Sequence, residues 1–172
     1  MAKIKFECSH GEFIAEIHED WAPRGVARMR ELLDSGFFED IYFFRVVTQP
    51  RPFVVQFGIH GDPEVSAQWR SNTIEDDPVR QRNVAGTLTF ATAGPNTRTT
   101  QFFINLADNT FLDNQGFSPI GRIVEGMEVV EAICDTYGER PNQGLIQSQG
   151  NAYIEAEFPK MDRIKRAYIL EE

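Results

Sequence analysis

FFRVVTQPRPFVVQFG, Phe43–Gly58, decides the fold when it is laid beside TLTFATAGPNTRTTQFFINL, Thr87–Leu106. Both stretches are rich in Phe, Val, Ile and Thr, the residues that suit a pleated, half-buried surface. Side chains alternate between the two faces of a strand. Val55 and Phe57 therefore share one face and Val54 and Gln56 the other, while Leu88 pairs with Phe90, Phe102 with Ile104, and Gln101 with Phe103. In a strand over Ile41–Val47, Arg45 shares a face with Phe43 and Val47. One set of faces is uniformly apolar and makes a core. The other combines Arg45, Gln56 and Gln101 with Phe53, Val54 and Phe103.

That second face has two readings. A guanidinium is always charged and presents its donors in a fixed plane. A carboxylate neighbour would occupy it, whereas glutamine side chains hold it by hydrogen bonds and leave its charge available. The first expectation is thus an arginine held by uncharged amides beside an apolar recess, able to act on an amide without covalent chemistry or a metal. In the second, the arginine and glutamines solubilise the outer side of an antiparallel sheet, where polar residues are ordinary.

The composition narrows the classes. At 172 residues the chain is expected to be one domain, 1–172, large enough for its own core. Fourteen Phe and 41% hydrophobic residues argue for a globular protein rather than a disordered one. The formal charge of −9 disfavours nucleic acid, whose binders neutralise phosphates with basic residues. No apolar run is long enough for a membrane span and no signal-peptide pattern follows Met1, so a cytoplasmic protein is expected. Cys8 and Cys134 have no metal-like spacing and read as small buried hydrophobes. His10, His18 and His60 form no ligand pair, so no metal or other cofactor is expected.

Outward from the two central stretches, Lys3–Cys8 and Glu12–His18 alternate around Ser9-His10-Gly11 and read as a hairpin. Pro23 opens a helix carrying Val26, Met29, Leu32 and Leu33, stopped at Gly36. Pro50 and Pro52 make a bent loop of Thr48–Pro52. Gly58–Asn83 is a long polar excursion without a sustained period, with Trp69 as its anchor. Ile120–Val124 and Arg163–Leu170 read as strands. Glu125–Tyr137 reads as a second helix, and Ile146, Tyr153, Ile154 and Phe158 suggest a third within the less legible Gly138–Met161. With few helices between many short strands, the pattern favours an antiparallel sheet closed on itself, its ends plugged by helices.

Several chemistries lack their signatures. There is no phosphate-cradling glycine loop, no nucleophile elbow and no zinc-protease helix. The acids Glu19-Asp20 and Asp76-Asp77 lie in polar loops and read as surface, and Ser9 with His10 makes a turn rather than a triad.

The order F-x-R-V-V, F-V-V-Q-F-G, T-F-A-T-A-G-P-N-T, T-Q-F-F-I-N, F-L-D and G-R-I-V-E-G-M-E-V-V resembles the cyclophilins, the peptidyl-prolyl cis–trans isomerases, over roughly Lys3–Tyr137 and the last strand. The resemblance implies a closed eight-stranded antiparallel β-barrel capped by two α-helices. It also implies roles. Arg45 becomes the catalytic arginine and Gln56 the amide that holds it, while Phe53, Val54, Phe103 and Leu112 become walls of a proline pocket. Ala91, Thr92 and Gln101 line the groove, with Phe111 at its edge. The expected partners are proline-containing peptides and unfolded chains, met by a monomer.

The chain departs from the commonest pattern of that family. Three extra residues separate Arg45 from Phe53, Phe44 stands where His is frequent, and Thr92 replaces a frequent Asn. Phe111 occupies a position that is Trp in cyclosporin-sensitive members, so weak cyclosporin binding is expected. Phe117 or Gly116 falls where many members carry a pocket histidine, and Gly138–Met161 is longer than in the smallest members. The alternative reading is a proline-peptide binding module with little turnover.

Overall fold

The computed structural model describes Met1–Glu172. Its N-terminal alternation forms a hairpin of β1 (Ala2–Cys8) and β2 (Gly11–Ile17), with Phe6 opposite Phe13 and their rings stacked at 4.7 Å. The following strands are β3 (Ile41–Tyr42), β4 (Arg45–Val46), β5 (Val54–Phe57), β6 (Thr87–Phe90), β7 (Phe102–Asn105), β8 (Pro119–Glu125) and β9 (Arg163–Glu171). They make one antiparallel sheet in the order β3-β9-β1-β2-β8-β6-β7-β5-β4. The sheet curls into a nine-stranded half-barrel.

This corrects the closed eight-stranded barrel, for a local reason. The expected strand Ile41–Val47 is split in two. Tyr42 pairs with Arg163 on β9, Arg45 pairs with Gln56 on β5, and Phe43-Phe44 between them leave the ladder. The two edges of the sheet are therefore joined by covalent chain rather than by hydrogen bonds between strands. Parity fails at the same place: Phe43 and Val46 both enter the main core, and Phe44 enters a second one.

The concave side holds the main core, where the rings of Phe6, Phe13, Phe38, Phe43, Phe57, Phe90 and Phe102 are fully buried. Burying one such side chain stabilises by roughly 1.5–3 kcal/mol. Val55, Phe57, Leu88, Phe90, Phe102 and Ile104 point into it, as alternation requires. Val54, Phe103 and Leu112 form a separate small cluster on the other side.

Helix α1 (Pro23–Asp34) buries Val26, Met29 and Leu32 against this core. Its N-cap, Ala22, has no side chain to satisfy the first amides. Asp77 does so instead, accepting from Arg24 N (3.0 Å) and Gly25 N (2.9 Å), and it pairs with Arg98 at 3.1 Å. A carboxylate is favoured at a helix N-terminus. Asp77 is thus a buried cap rather than the surface acid expected, whereas Glu19 and Asp20 are exposed.

The helix count also differs from two. The polar excursion contains α2 (Pro63–Arg70), capped by Asp62, whose carboxylate accepts from Glu64 N at 2.9 Å. Trp69 anchors it, packing edge-on to Phe37 and beneath the Arg28 guanidinium. The expected helix Glu125–Tyr137 is only one turn and a half, α3 (Met127–Glu131). The third candidate becomes two short helices, α4 (Gln143–Gln149) and α5 (Asn151–Glu157), broken at Gly150, which has φ +67°. Their residues Ile146 and Ile154 cover Tyr42, Phe44, Ile59 and Met161. Burial in this second core gives Phe44 its apolar surroundings. Cys8 is buried and burial pushes its thiol up to about 12, while Cys134 is only half-buried; both are free.

Candidate active site

One row of residues crosses the outer face of the sheet. Arg45 on β4 lies opposite Gln56 on β5, and Gln56 lies opposite Phe103 on β7. The loop Thr48–Pro52, which holds the three extra residues, leaves this register undisturbed. It is a hairpin loop, closed by Val47 N to Val54 O (2.9 Å) and Phe53 N to Val47 O (2.9 Å). Arg45 accordingly reaches the recess, its guanidinium carbon 5.8 Å from the centre of the Phe53 ring.

The amides are directional. Arg45 Nη1 donates to Gln56 Oε1 (3.2 Å), and Gln56 Nε2 donates to Gln101 Oε1 (2.9 Å). Because a guanidinium only donates, it fixes which end of Gln56 faces it. Gln101 is placed by Gly58, where φ is +117° and a side chain would collide with the Thr100 carbonyl. This close approach brings the chain after β5 against Thr100-Gln101, sealed by Thr100 Oγ1 donating to Gly58 O at 2.7 Å.

One expectation is overturned. Arg45 is not held by amides alone, because Glu139 Oε2 accepts from its Nε (2.9 Å) and Nη2 (2.8 Å). The Arg45 side chain is 29% exposed and that of Glu139 is 60% exposed. An ion pair this open to water contributes little net energy, about 0–1 kcal/mol. Of five guanidinium N–H groups, these contacts leave one on each terminal nitrogen.

The cleft beside this arginine has a volume of about 620 Å³. At one end Phe53, Val54, Phe103, Leu112 and Phe117 make an apolar recess. Ala91, Thr92 and Gln101 also line the cleft. Phe111 does not line it. That ring is 52% exposed and stacks on the outer side of Phe53 at 6.0 Å. The far end is polar, with Arg70 of α2 and Gln143 and Gln147 of α4. Sequence reasoning did not anticipate those three, nor Glu139.

It also missed what holds the recess together. Leu112 lies within a 3-10 turn, Thr110–Gln115, and Phe117 just after it, and this segment is tied to the sheet by buried asparagines. Asn109 Nδ2 donates to Phe53 O and Asn105 Oδ1, both at 2.9 Å. Asn83 Nδ2 donates to Asp113 Oδ1 (2.8 Å) and Phe117 O (3.0 Å), while its Oδ1 accepts from Thr89 and Asn105. Such a network rigidifies because each member is satisfied. Alternation carried a partial signal, since it places Asn105 on the same outer face as Phe103.

The cyclophilin-type peptidyl-prolyl cis-trans isomerase family model matches residues 3–151. A peptidyl-prolyl cis-trans isomerase-like 1 of Aspergillus fumigatus is 31% identical over 76% of this chain and 80% of its own. One from Rhizopus delemar is 32% identical over 87% and 84%. A crystal structure of a cyclophilin-type isomerase from Cryptosporidium parvum matches 99% of this chain and 98% of its own, with TM-score 0.70 at 19% identity, which bears on the fold. A second crystal structure of that protein, in the presence of the dipeptide Ala-Pro, has TM-score 0.69 at 20% identity. The strands that align an arginine, a glutamine and a phenylalanine over a greasy recess thus come with family likeness across most of their length: the chain belongs to the cyclophilin-type peptidyl-prolyl cis–trans isomerases.

Proposed function

We propose that the protein accelerates rotation about Xaa-Pro bonds in unfolded or flexible polypeptides, with Arg45 as its catalytic group. The observation that carries this reading is the Arg45–Gln56–Phe103 row, which sets a cation with two free N–H groups beside an apolar recess. A prolyl amide resists rotation because its resonance must be broken, at about 18–20 kcal/mol. Unaided isomerisation takes roughly 10–100 s.

The pyrrolidine ring lies against Val54, Phe103 and Leu112, with Phe53 and Phe117 at its flanks. Ala91, Thr92 and Gln101 hold the residues that precede it. As the amide twists, the prolyl nitrogen becomes pyramidal and its lone pair, delocalised into the carbonyl in the planar amide, is localised on nitrogen and able to accept. The free N–H groups of Arg45 stabilise that state more than either planar isomer, which is the condition for catalysis. No bond is made or broken, so neither a cofactor nor a nucleophile enters the reaction.

Arg45→Ala tests this. Loss of one preorganised donor to a developing charge lowers turnover by about 10²-fold. We expect that fall in kcat/KM on an Xaa-Pro peptide, with peptide binding retained in a chemical-shift titration. A variant that isomerises as fast as the parent refutes the assignment; a parent that binds but does not turn over would make the protein a proline-peptide binding module. The reading also takes the protein as a cytoplasmic monomer of one domain, consistent with its free thiols.

A further inference from the structure

The acid that overturned the amide-only expectation lies outside the ladder that builds the site. Glu139 is 94 residues from Arg45 in sequence and belongs to the turn that opens the long Gly138–Met161 segment. The backbone holds this turn in place. Val46 N, next to Arg45, donates to Gly138 O at 3.3 Å, and Thr48 Oγ1 donates to Asp135 Oδ2 at 2.7 Å. Behind the turn, Tyr137 packs on Phe158 at 5.0 Å and its hydroxyl accepts from Lys160 N at 3.0 Å. The free edge of β4 is therefore covered by a braced segment that delivers one carboxylate to the guanidinium.

We infer that Glu139 is a positioning residue for Arg45, an inference that rests on the isomerase reading above. Gln56 contacts only Nη1, at 3.2 Å, which leaves the guanidinium free to swing about that single contact. Glu139 engages the opposite edge through Nε and Nη2. Held from two sides, the plane has one orientation, and its two remaining N–H groups are the ones available to substrate. A fixed fork loses less freedom on forming each further hydrogen bond. Arg45 is part-buried and Glu139 is exposed, so water screens the carboxylate, and the two remaining N–H groups stay free to donate. The long segment that buries Phe44 thus also completes the site.

Glu139→Ala and Glu139→Gln separate this role from a merely structural one, and Arg45→Ala checks the reading beneath it. An exposed pair of this kind corresponds to about a two- to fivefold change in rate. On an Xaa-Pro peptide, Glu139→Ala should lose that much in kcat with KM unchanged, and the Arg45 Nε–H signal in nitrogen-15 spectra should broaden by faster exchange. Glu139→Gln keeps an acceptor at the same place and should restore both to near the parent. Thermal unfolding of the two variants should match. Glu139→Ala turning over as fast as the parent or faster would overturn the inference, as would equal losses in both variants. If Arg45→Ala is slow while Glu139→Ala is not, only this inference fails; if Arg45→Ala is as fast as the parent, the isomerase assignment fails and this one with it.

Discussion

The two ends of the cleft are built differently. At the recess, Val54 and Phe103 stand on paired strands, and Leu112 is fastened to them by Asn83, Asn105 and Asn109. At the far end, Gln143 and Gln147 come from a helix of seven residues that packs on α2, and just beyond it Asn151 N, at the start of α5, donates to Gly61 O at 3.0 Å. The first end is apolar and built on paired strands; the second is polar and carried by short helices that bury Ile146 and Ile154 behind it. Arg45 takes one anchor, Gln56, from the sheet that carries the recess and the other, Glu139, from the turn that leads toward α4.

Substitutions can break that contrast. Phe103→Ala should do the most damage, because Phe103 is 5% exposed and floors the recess. Truncating a buried Phe costs about 3–5 kcal/mol, so denaturant unfolding should shift strongly and KM for proline peptides should rise well beyond any effect of Glu139→Ala. Equal effects at the two ends would remove the distinction.

Asn83→Ala comes next. It leaves the buried Thr89 hydroxyl without its acceptor and the Phe117 carbonyl without a donor, while the backbone N–H of residue 83 still serves Asp113; an unsatisfied buried group costs roughly 1–3 kcal/mol. Thermal unfolding should fall, and the Phe117 ring resonances should show the wall loosening. A smaller effect is expected at the rim: Phe111→Trp restores an indole N–H donor and should tighten cyclosporin binding by calorimetry, with peptide turnover nearly unchanged.

Smallest of all is a change remote from the cleft. Arg166 and Tyr168 hydrogen-bond to Glu7 across the β1–β9 seam and hold its carboxyl down to about 2, from an ordinary 4.5. Since the folded value is the lower one, this stabilisation is complete above 4.5 and fades as the pH falls toward about 2. Glu7→Gln should flatten the acid dependence of unfolding across that window and leave turnover at neutral pH alone.

What the sequence displays follows the same division. Alternation sorts Val54, Gln56 and Phe103 from Val55, Phe57 and Phe102 because β5 and β7 are regular strands with one dry side. It fails at Phe43-Phe44, where the chain passes from one edge of the sheet to the other and no ladder enforces parity. The start of α2 was legible in Asp62-Pro63, a cap followed by a first-turn proline, but a polar helix with little apolar face gives periodicity nothing to register. The burial of Asp77 depends on amides of a distant helix. Glu139 offers no local pattern at all, since its partner is brought to it only by tertiary folding.

The loop Thr48–Pro52 has a practical consequence. Its tip, Gln49–Pro52, is exposed, yet Arg45 and Gln56 face each other undisturbed beneath it. Strand pairing, and not the length of the connection, sets the distance between the cation and its amide. The tip is therefore a place to graft a fluorophore or a paramagnetic tag a few residues from the cleft, giving a reporter of peptide arrival that leaves the Arg45–Gln56–Phe103 row intact.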